Sequence, residues 1–369
     1  MKDITPQQLQ RVLQQFKLEH ASWQFLGAQE LLAGHINNTY KLETKQESET
    51  RHYILQRINT FVFREPAKLM ENIVGVTTFL RERLAAGEAP GQITLTVYPT
   101  LQGEDYHIDE QGGYWRCYNY VENSLSLNSA TQLQAQRAGA AFGTFLRLLN
   151  NYPIESLHET IPDFHHTPKR YEALEAAIAQ NQANRLAQVQ AEVDFARARK
   201  EDCGKVLALH NAGKIPLRVT HNDTKLNNVL FDQTTNEATC VIDFDTIMPG
   251  LSLYDFGDAL RFLGSTAAED EKDLSKVQFS MPLFKAYAKG YLSTAKDALT
   301  ETELAMLPFS IKLMTLECGM RFLTDYLNGD KYFRVHHPEH NLDRCRTQFK
   351  LVTEIEAVMD EMEAYIASL

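Results

Sequence analysis

The run Val219-Thr220-His221-Asn222-Asp223-Thr224-Lys225-Leu226-Asn227-Asn228-Val229-Leu230 decides how this chain is read. It carries the spacing H-x-D-x-x-x-x-N between short apolar runs, and Val241-Ile242-Asp243-Phe244-Asp245-Thr246 follows it closely. Apolar runs of this length read as strands, so one loop presents Asp223 and Asn228 and a second presents Asp243. The set is rich in oxygen donors. A hard cation such as Mg²⁺ prefers oxygen ligands, which Asn228 and Asp243 supply. A carboxylate one loop away, Asp223, is placed to take a proton from a hydroxyl group.

Each residue alone has a plainer reading: Asp223 a turn or helix cap, Asn228 a loop amide, Asp243 the end of a strand. Their order is what carries meaning. Phosphoryl transfer needs positioning and charge neutralisation more than covalent help, and protein kinases place a proton-accepting aspartate, a metal-binding asparagine and a metal-binding aspartate in this order. His221 is expected to brace the loop backbone. Lys225 either meets the γ-phosphate or is solvated. Asp255, in Tyr254-Asp255-Phe256-Gly257-Asp258, falls after the metal aspartate and is read as a buried structural acid at the start of a helix.

Working outward, the first third is rich in strand signals. Tyr40, Leu42 and Thr44 alternate with polar residues, and a polar turn separates them from His52-Tyr53-Ile54-Leu55-Gln56-Arg57-Ile58, which predicts a hairpin. A helix is expected from about Pro66, with Leu69, Ile73, Val76, Leu80 and Leu84 at helical spacing. Strands are expected at 93–97 and 114–121. Beyond about Asn123 the pattern is helical, including proline-free 170–210, which predicts long helices. A final helix is expected with Leu351, Ile355, Val358, Met362, Tyr365 and Ile366 on one face. The expected class is therefore α+β: residues 1–122 form a small lobe with an antiparallel sheet and one long helix, and 123–369 form a mostly helical lobe with its functional loops at 219–250.

A nucleotide would be held without a familiar glycine motif, since neither G-x-G-x-x-G nor a P-loop occurs. The turn Gly34-His35-Ile36-Asn37-Asn38-Thr39 precedes the first strand of the expected hairpin, where a phosphate-covering loop would lie. Gly34 permits close backbone approach, and Asn37, Asn38 and Thr39 offer hydrogen bonds; the same residues also suit an ordinary turn. The next strand offers Gln56 where a kinase carries a lysine, with Arg57 beside it. Successive strand residues face opposite ways, so only one of the two can face a ligand. Tyr120, Val121 and Glu122, at the end of the strand-rich part, are the expected adenine hinge.

Composition narrows the partners. The 369 residues carry a net charge of −11, with 44% hydrophobic and 23% charged residues. That acidic balance disfavours nucleic acid or an anionic membrane as the main partner. No apolar run approaches the roughly 20 residues of a membrane helix, and the N-terminal residues lack a signal core. The five cysteines are scattered with no C-x-x-C pair, as expected of free thiols in a reducing cytoplasm.

The loops and their surroundings resemble the superfamily of aminoglycoside phosphotransferases and choline kinases. Thr220–Asn228, Asp243-Phe244-Asp245-Thr246-Ile247-Met248-Pro249-Gly250, Asp255–Asp258, Glu269–Lys276, Glu317-Cys318-Gly319-Met320-Arg321-Phe322, Gly34–Asn37 and Tyr53–Gln56 are similar to the bacterial N-acetylhexosamine 1-kinases. The resemblance implies a two-lobed, protein-kinase-like fold, ATP as donor with Mg²⁺, and N-acetylglucosamine or N-acetylgalactosamine as acceptor, phosphorylated at the anomeric hydroxyl. It implies Asp223 as base, Asn228 and Asp243 on Mg²⁺, and glutamine at position 56 as a family trait. The implied sugar residues are His35, Asp245, Thr246, Arg321 and Tyr332; for Arg321 a helix-surface ion pair, and for Tyr332 simple packing, are the plainer readings. Two other functions are compatible with the loops: a kinase of another small acceptor (aminoglycoside, choline, homoserine or methylthioribose), or a nucleotide-binding regulator without catalysis.

Overall fold

In a computed structural model the chain is described over residues 4–19, 22–31 and 36–369. Gly34 and His35 of the candidate site lie outside the described residues. The chain packs as two compact units, one made of Met1–Leu125, Asn151–Ile161 and Leu230–Met248, the other of Ser126–Asn150, Pro162–Val229 and Pro249–Leu369. Asp243 and Asp245 thus fold with the N-terminal strands, and Asp223 and Asn228 with the helices.

The first unit opens with helix α1, Pro6–Leu13, which starts where Thr5 and Gln8 close a reciprocal capping box. Strands β1 (Gln24–Glu30), β2 (Asn38–Gln46), β3 (Glu49–Arg57), β4 (Val97–Tyr98), β5 (His107–Ile108) and β6 (Tyr114–Asn119) form a sheet in the order β1-β2-β3-β6-β4, with β5 also on β6. The expected hairpin is β2–β3, antiparallel with Tyr40 opposite Leu55. Strand β1 was not foreseen: Gly27 sits at an irregularity in its register and interrupts its alternation. Of the strand expected over 93–97, only Val97 joins the sheet, while Ile93 makes an isolated bridge to Cys240.

One sheet face packs Leu42, Tyr53, Leu55, Trp115 and Cys117 against Leu9, Leu13 and Phe16 of the N-terminal segment. The opposite parity places Gln56 and Arg116 side by side on the other face, paired across β3 and β6. Helix α2 (Pro66–Ala85) buries Leu69, Ile73, Val76 and Leu80, as the helical spacing predicts.

The second unit is helical: α3 (Gln132–Leu148), α4 (Thr167–Gln180), α5 (Gln190–Arg197), α6 (Lys205–Asn211), α7 (Ser252–Leu263), α8 (Met281–Ala295), α9 (Glu301–Leu327), α10 (His340–Ala357) and α11 (Met359–Ser368). Residues 170–210 form short helices and 3₁₀ turns, not the long helices expected. Asn181 ends α4 in a left-handed conformation at φ 42°, and its side chain accepts from the backbone N–H groups of Arg185 and Leu186 at 3.0 Å. Asparagine tolerates that conformation because its short amide bonds locally. The final helix is likewise two helices that break at Val358, though Leu351, Ile355, Met362 and Ile366 are all buried.

Helix α9 is the hub. Leu316, Met320, Phe322 and Leu323 share a core with Leu174 of α4, Val193 of α5 and Phe349 of α10. Helices α3 and α8 approach closely enough that a Cβ on Gly290 would lie 1.8 Å from the carbonyl oxygen of Gln136. Gly290→Ala should therefore force the two helices apart and lower the unfolding free energy by about 1–3 kcal/mol, read from urea denaturation.

Candidate active site

The loop carrying Asp223 leaves the short strand Arg218–Thr220 and ends in the 3₁₀ turn Leu226–Asn228. Its path needs Asn222 at φ 63°, a left-handed conformation that costs a non-glycine residue energy. What holds it is Asp255, in the first turn of α7. The carboxylate accepts the backbone N–H of His221 at Oδ2 (2.8 Å) and of Asn222 at Oδ1 (2.7 Å). Thr224 Oγ1 donates to the Asp255 carbonyl at 2.6 Å. Burial pushes the Asp255 carboxyl up, His221 and the two amides oppose that, and the net displacement is upward. Asp255 is thus the buried structural acid the sequence suggests. His221 is fully buried between the edges of Phe142 and Phe145, and its Nδ1 accepts the N–H of Asp223 at 3.3 Å, a brace on the backbone.

Both oxygens of the Asp223 carboxylate are engaged. Lys225 Nζ lies 2.7 Å from Oδ1, and Asn228 Nδ2 donates to Oδ2 at 3.1 Å and to the Asp223 carbonyl at 2.8 Å. Burial lowers the Lys225 ammonium, but Asp223 and Asp258 pull it above its ordinary value, so it is charged at neutral pH. With its amide nitrogen spent on Asp223, Asn228 keeps Oδ1 as the atom that could ligate a cation.

Sequence reasoning missed the residues behind this loop. His165 Nε2 lies 3.3 Å from the carbonyl oxygen of Asn222, and Nδ1 lies 2.9 Å from Glu317 Oε1. Burial raises the Glu317 carboxyl, but His165 and Thr167 draw it below the usual range. Near it, burial and the neighbouring Arg321 guanidinium both lower Arg170, while Glu317 pulls the other way. Arg321 lies over the rings of Phe333 and Tyr332 at 5.5 and 6.0 Å. Tyr332 is 74% exposed, a surface position and not a packed one.

In the first unit, Asp243 stands at φ 65°, the second left-handed non-glycine residue of the site. Asp245 and Thr246 follow in the turn Phe244–Thr246 and are buried. Arg116 Nη2 meets Asp245 Oδ1 at 2.5 Å with both side chains almost inaccessible, and Asn37 Nδ2 donates to Asp245 Oδ2. Asn72 of α2 holds the chain just beyond, donating to the Ile247 carbonyl at 2.9 Å.

Gln56 belongs to the same group. Its Oε1 accepts from Arg116 Nε and Nη2 at 3.0 and 2.9 Å, and its Nε2 donates to Thr39 Oγ1 at 2.9 Å. Arg57 faces the other way, over Trp115 at 5.9 Å, so of the two candidates Gln56 shares the face of Asp245. Asn38 starts β2 opposite Arg57. In the expected hinge, the ring of Tyr120 lies beneath Lys41 Nζ at 4.0 Å. Val121 is buried, and Glu122 meets His52 Nδ1 at 2.6 Å. Arg116 had no sequence signal: it lies inside the apolar run Tyr114–Asn119, and only the strand pairing reveals its partner.

Among the described residues no group of three or more His, Cys, Asp or Glu side chains could hold a metal ion. Taken separately, Asn228 Oδ1 in the second unit and the Asp243 carboxylate in the first are oxygen donors of the kind Mg²⁺ takes. Among the described residues no helix is long and apolar enough to cross a membrane.

The comparisons with known proteins bear on family and fold. The model of the phosphotransferase enzyme family matches residues 27–299, more than half of the chain, and the chain belongs to that family. It is similar to a microcompartment-associated aminopropanol kinase, with TM-score 0.59 and 18% identity over 96% of this chain and 98% of that one. It is also similar to a spectinomycin phosphotransferase solved with ADP and spectinomycin, with TM-score 0.57 and 14% identity over 98% and 100% of the two chains. A choline kinase from Cryptosporidium parvum Iowa II gives TM-score 0.51 and 14% identity over 95% and 94%. At these identities the likeness is one of fold, and it bears out the expected α+β, protein-kinase-like class.

Asp255→Ala should leave two buried amide donors without an acceptor. We expect the unfolding free energy to fall by about 2–4 kcal/mol, measured by urea denaturation. Phosphoryl transfer should fall more steeply than the folded fraction, because the left-handed turn before Asp223 loses its support.

Proposed function

We propose that this chain transfers the γ-phosphoryl group of ATP to the anomeric hydroxyl of an N-acetylhexosamine, N-acetylglucosamine or N-acetylgalactosamine, giving the sugar 1-phosphate and ADP. The observation that carries the reading is the Asp223 carboxylate, oriented by Asn228 Nδ2 and Lys225 on a loop anchored to Asp255. A general base must be fixed before it can help, and this one is fixed from three sides.

In this reading Asp223 accepts the acceptor's proton as the sugar oxygen attacks in line. An anomeric hydroxyl is more acidic than an ordinary alcohol, so a carboxylate suffices as base. Lys225, two residues on and charged, passes from Asp223 to the γ-phosphate. Gly34, Asn37, Asn38, Thr39 and Gln56 serve the phosphates, and the backbone of Tyr120, Val121 and Glu122 holds the adenine. Asn228 and Asp243 are the residues that would hold Mg²⁺, which supplies charge neutralisation on the phosphates.

The choice of acceptor rests on the subfamily strings, with His35, Asp245, Thr246, Arg321 and Tyr332 as the sugar-recognising set. A second observation favours it over a cationic acceptor such as choline or an aminoglycoside. Arg321 lowers its neighbour Arg170 against the pull of Glu317, and a third cation beside the two guanidiniums would add to that cost. Guanidinium forks instead suit hydroxyl and carbonyl oxygens. The five cysteines are all free thiols, in keeping with a cytoplasmic setting.

The test is ADP release with ATP and Mg²⁺ over a panel of N-acetylglucosamine, N-acetylgalactosamine, choline, homoserine and an aminoglycoside. The two acetylated hexosamines should be the good acceptors. Asp223→Asn should lower kcat on them by about 10²–10⁴-fold with ATP binding nearly intact. Near-normal turnover in that variant would remove Asp223 as base. Turnover of the cationic acceptors alone would remove the sugar reading.

A further inference from the structure

Strand β3 carries no cation on the face it shares with Asp245, since Arg57 lies on the other side. Lys41 of β2 shares that face but lies over Tyr120; the cation beside Gln56 itself comes from the neighbouring strand β6. Arg116 is 1% exposed and spends Nε and Nη2 on Gln56 Oε1. Nη2 also meets Asp245, and Nη1 lies 4.0 Å from Met70 Sδ. Enclosed in this way, the guanidinium cannot itself touch a ligand.

Its effect reaches Gln56 instead. Arginine only donates, so the atom facing it must be the glutamine's oxygen, and this fixes the amide orientation without ambiguity. The nitrogen end then points away from Arg116. One N–H goes to Thr39 Oγ1, and no described residue takes the second.

We propose that Arg116 is a positioning residue that lends its charge to the nucleotide phosphates through Gln56. The guanidinium locks and polarises the amide, and the outward Nε2–H donates to a phosphate oxygen. Two charge-assisted donors on the amide oxygen strengthen the N–H at the other end, because hydrogen bonds in series polarise one another. The same guanidinium fixes Asp245, two residues after the metal aspartate, so one buried cation orders both the phosphate donor and the metal-bearing turn. This inference rests on the kinase reading above.

The experiment is a double-mutant cycle on Mg-ATP affinity, measured by titration calorimetry without acceptor. Gln56→Lys should weaken ATP binding by about tenfold or more, despite its added charge, because it sets an ammonium against the buried guanidinium. Arg116→Gln should also weaken it by about tenfold, the value of one charge-assisted bond. The double variant Gln56→Lys/Arg116→Gln should recover to within about threefold of the wild type. Gln56→Glu is the variant certain to keep Arg116 paired. It should hold the melting temperature while ATP affinity drops at least about tenfold and acceptor KM stays unchanged, which a purely structural role would not produce.

The proposal is overturned if Gln56→Lys alone binds ATP as tightly as the wild type, or if Gln56→Glu does. Additivity of the two changes in a folded double variant overturns it too. Failure of the wild type to bind Mg-ATP at all would instead remove the kinase reading itself.

Discussion

The backbone from His221 to Thr224 passes through a left-handed asparagine and points two amide donors into the protein interior. A loop of that shape does not persist on its own, because each buried donor left unpaired costs about 1–3 kcal/mol. Asp255 answers both donors with one carboxylate, and its own carbonyl takes the Thr224 hydroxyl. The arrangement makes the start of α7 the foundation of the Asp223 loop. It also explains why the acid is retained in a place where burial works against its charge: the amides and His221 oppose the desolvation that burial imposes. Everything proposed for Asp223, Lys225 and Asn228 depends on that backbone staying where Asp255 holds it.

The first unit solves a parallel problem with the opposite charge. Asp243 is left-handed, and the turn that follows it carries a second acid, Asp245, out of solvent. A buried carboxylate of this kind needs a partner, and Arg116 provides it from the middle of the sheet. Because Arg116 and Gln56 are cross-strand neighbours, the pairing register of β3 and β6 sets the geometry of the whole group. A slip of one residue would send both side chains to the apolar face beside Trp115 and Cys117.

Much of this was legible in the amino-acid string. The order of Asp223, Asn228 and Asp243 between apolar runs specified the loops, and the alternation of Tyr40, Leu42 and Thr44 specified the hairpin. Asp255 was recognisable as a structural acid because it follows Asp243 at the start of a helix. The rest depended on long-range contacts, which leave no local trace. Arg116 looks like an interruption of a strand until Gln56 is placed beside it. His165 and Glu317 are far apart in the chain and meet only through the packing of α9. The break-up of residues 170–210 was hidden because Asn181 does the work usually given to glycine or proline, and helix propensity alone does not register it. Strand β1 was obscured by the glycine that breaks its register.

The central claim is that the carboxylate held by this network activates an anomeric hydroxyl. The most direct measurement is phosphorus NMR of the product made from N-acetylglucosamine, ATP and Mg²⁺. The account predicts one new resonance, a phosphate coupled to the anomeric proton of an α-configured sugar. A phosphate coupled to the protons of another carbon of the sugar, or inorganic phosphate alone, would contradict it.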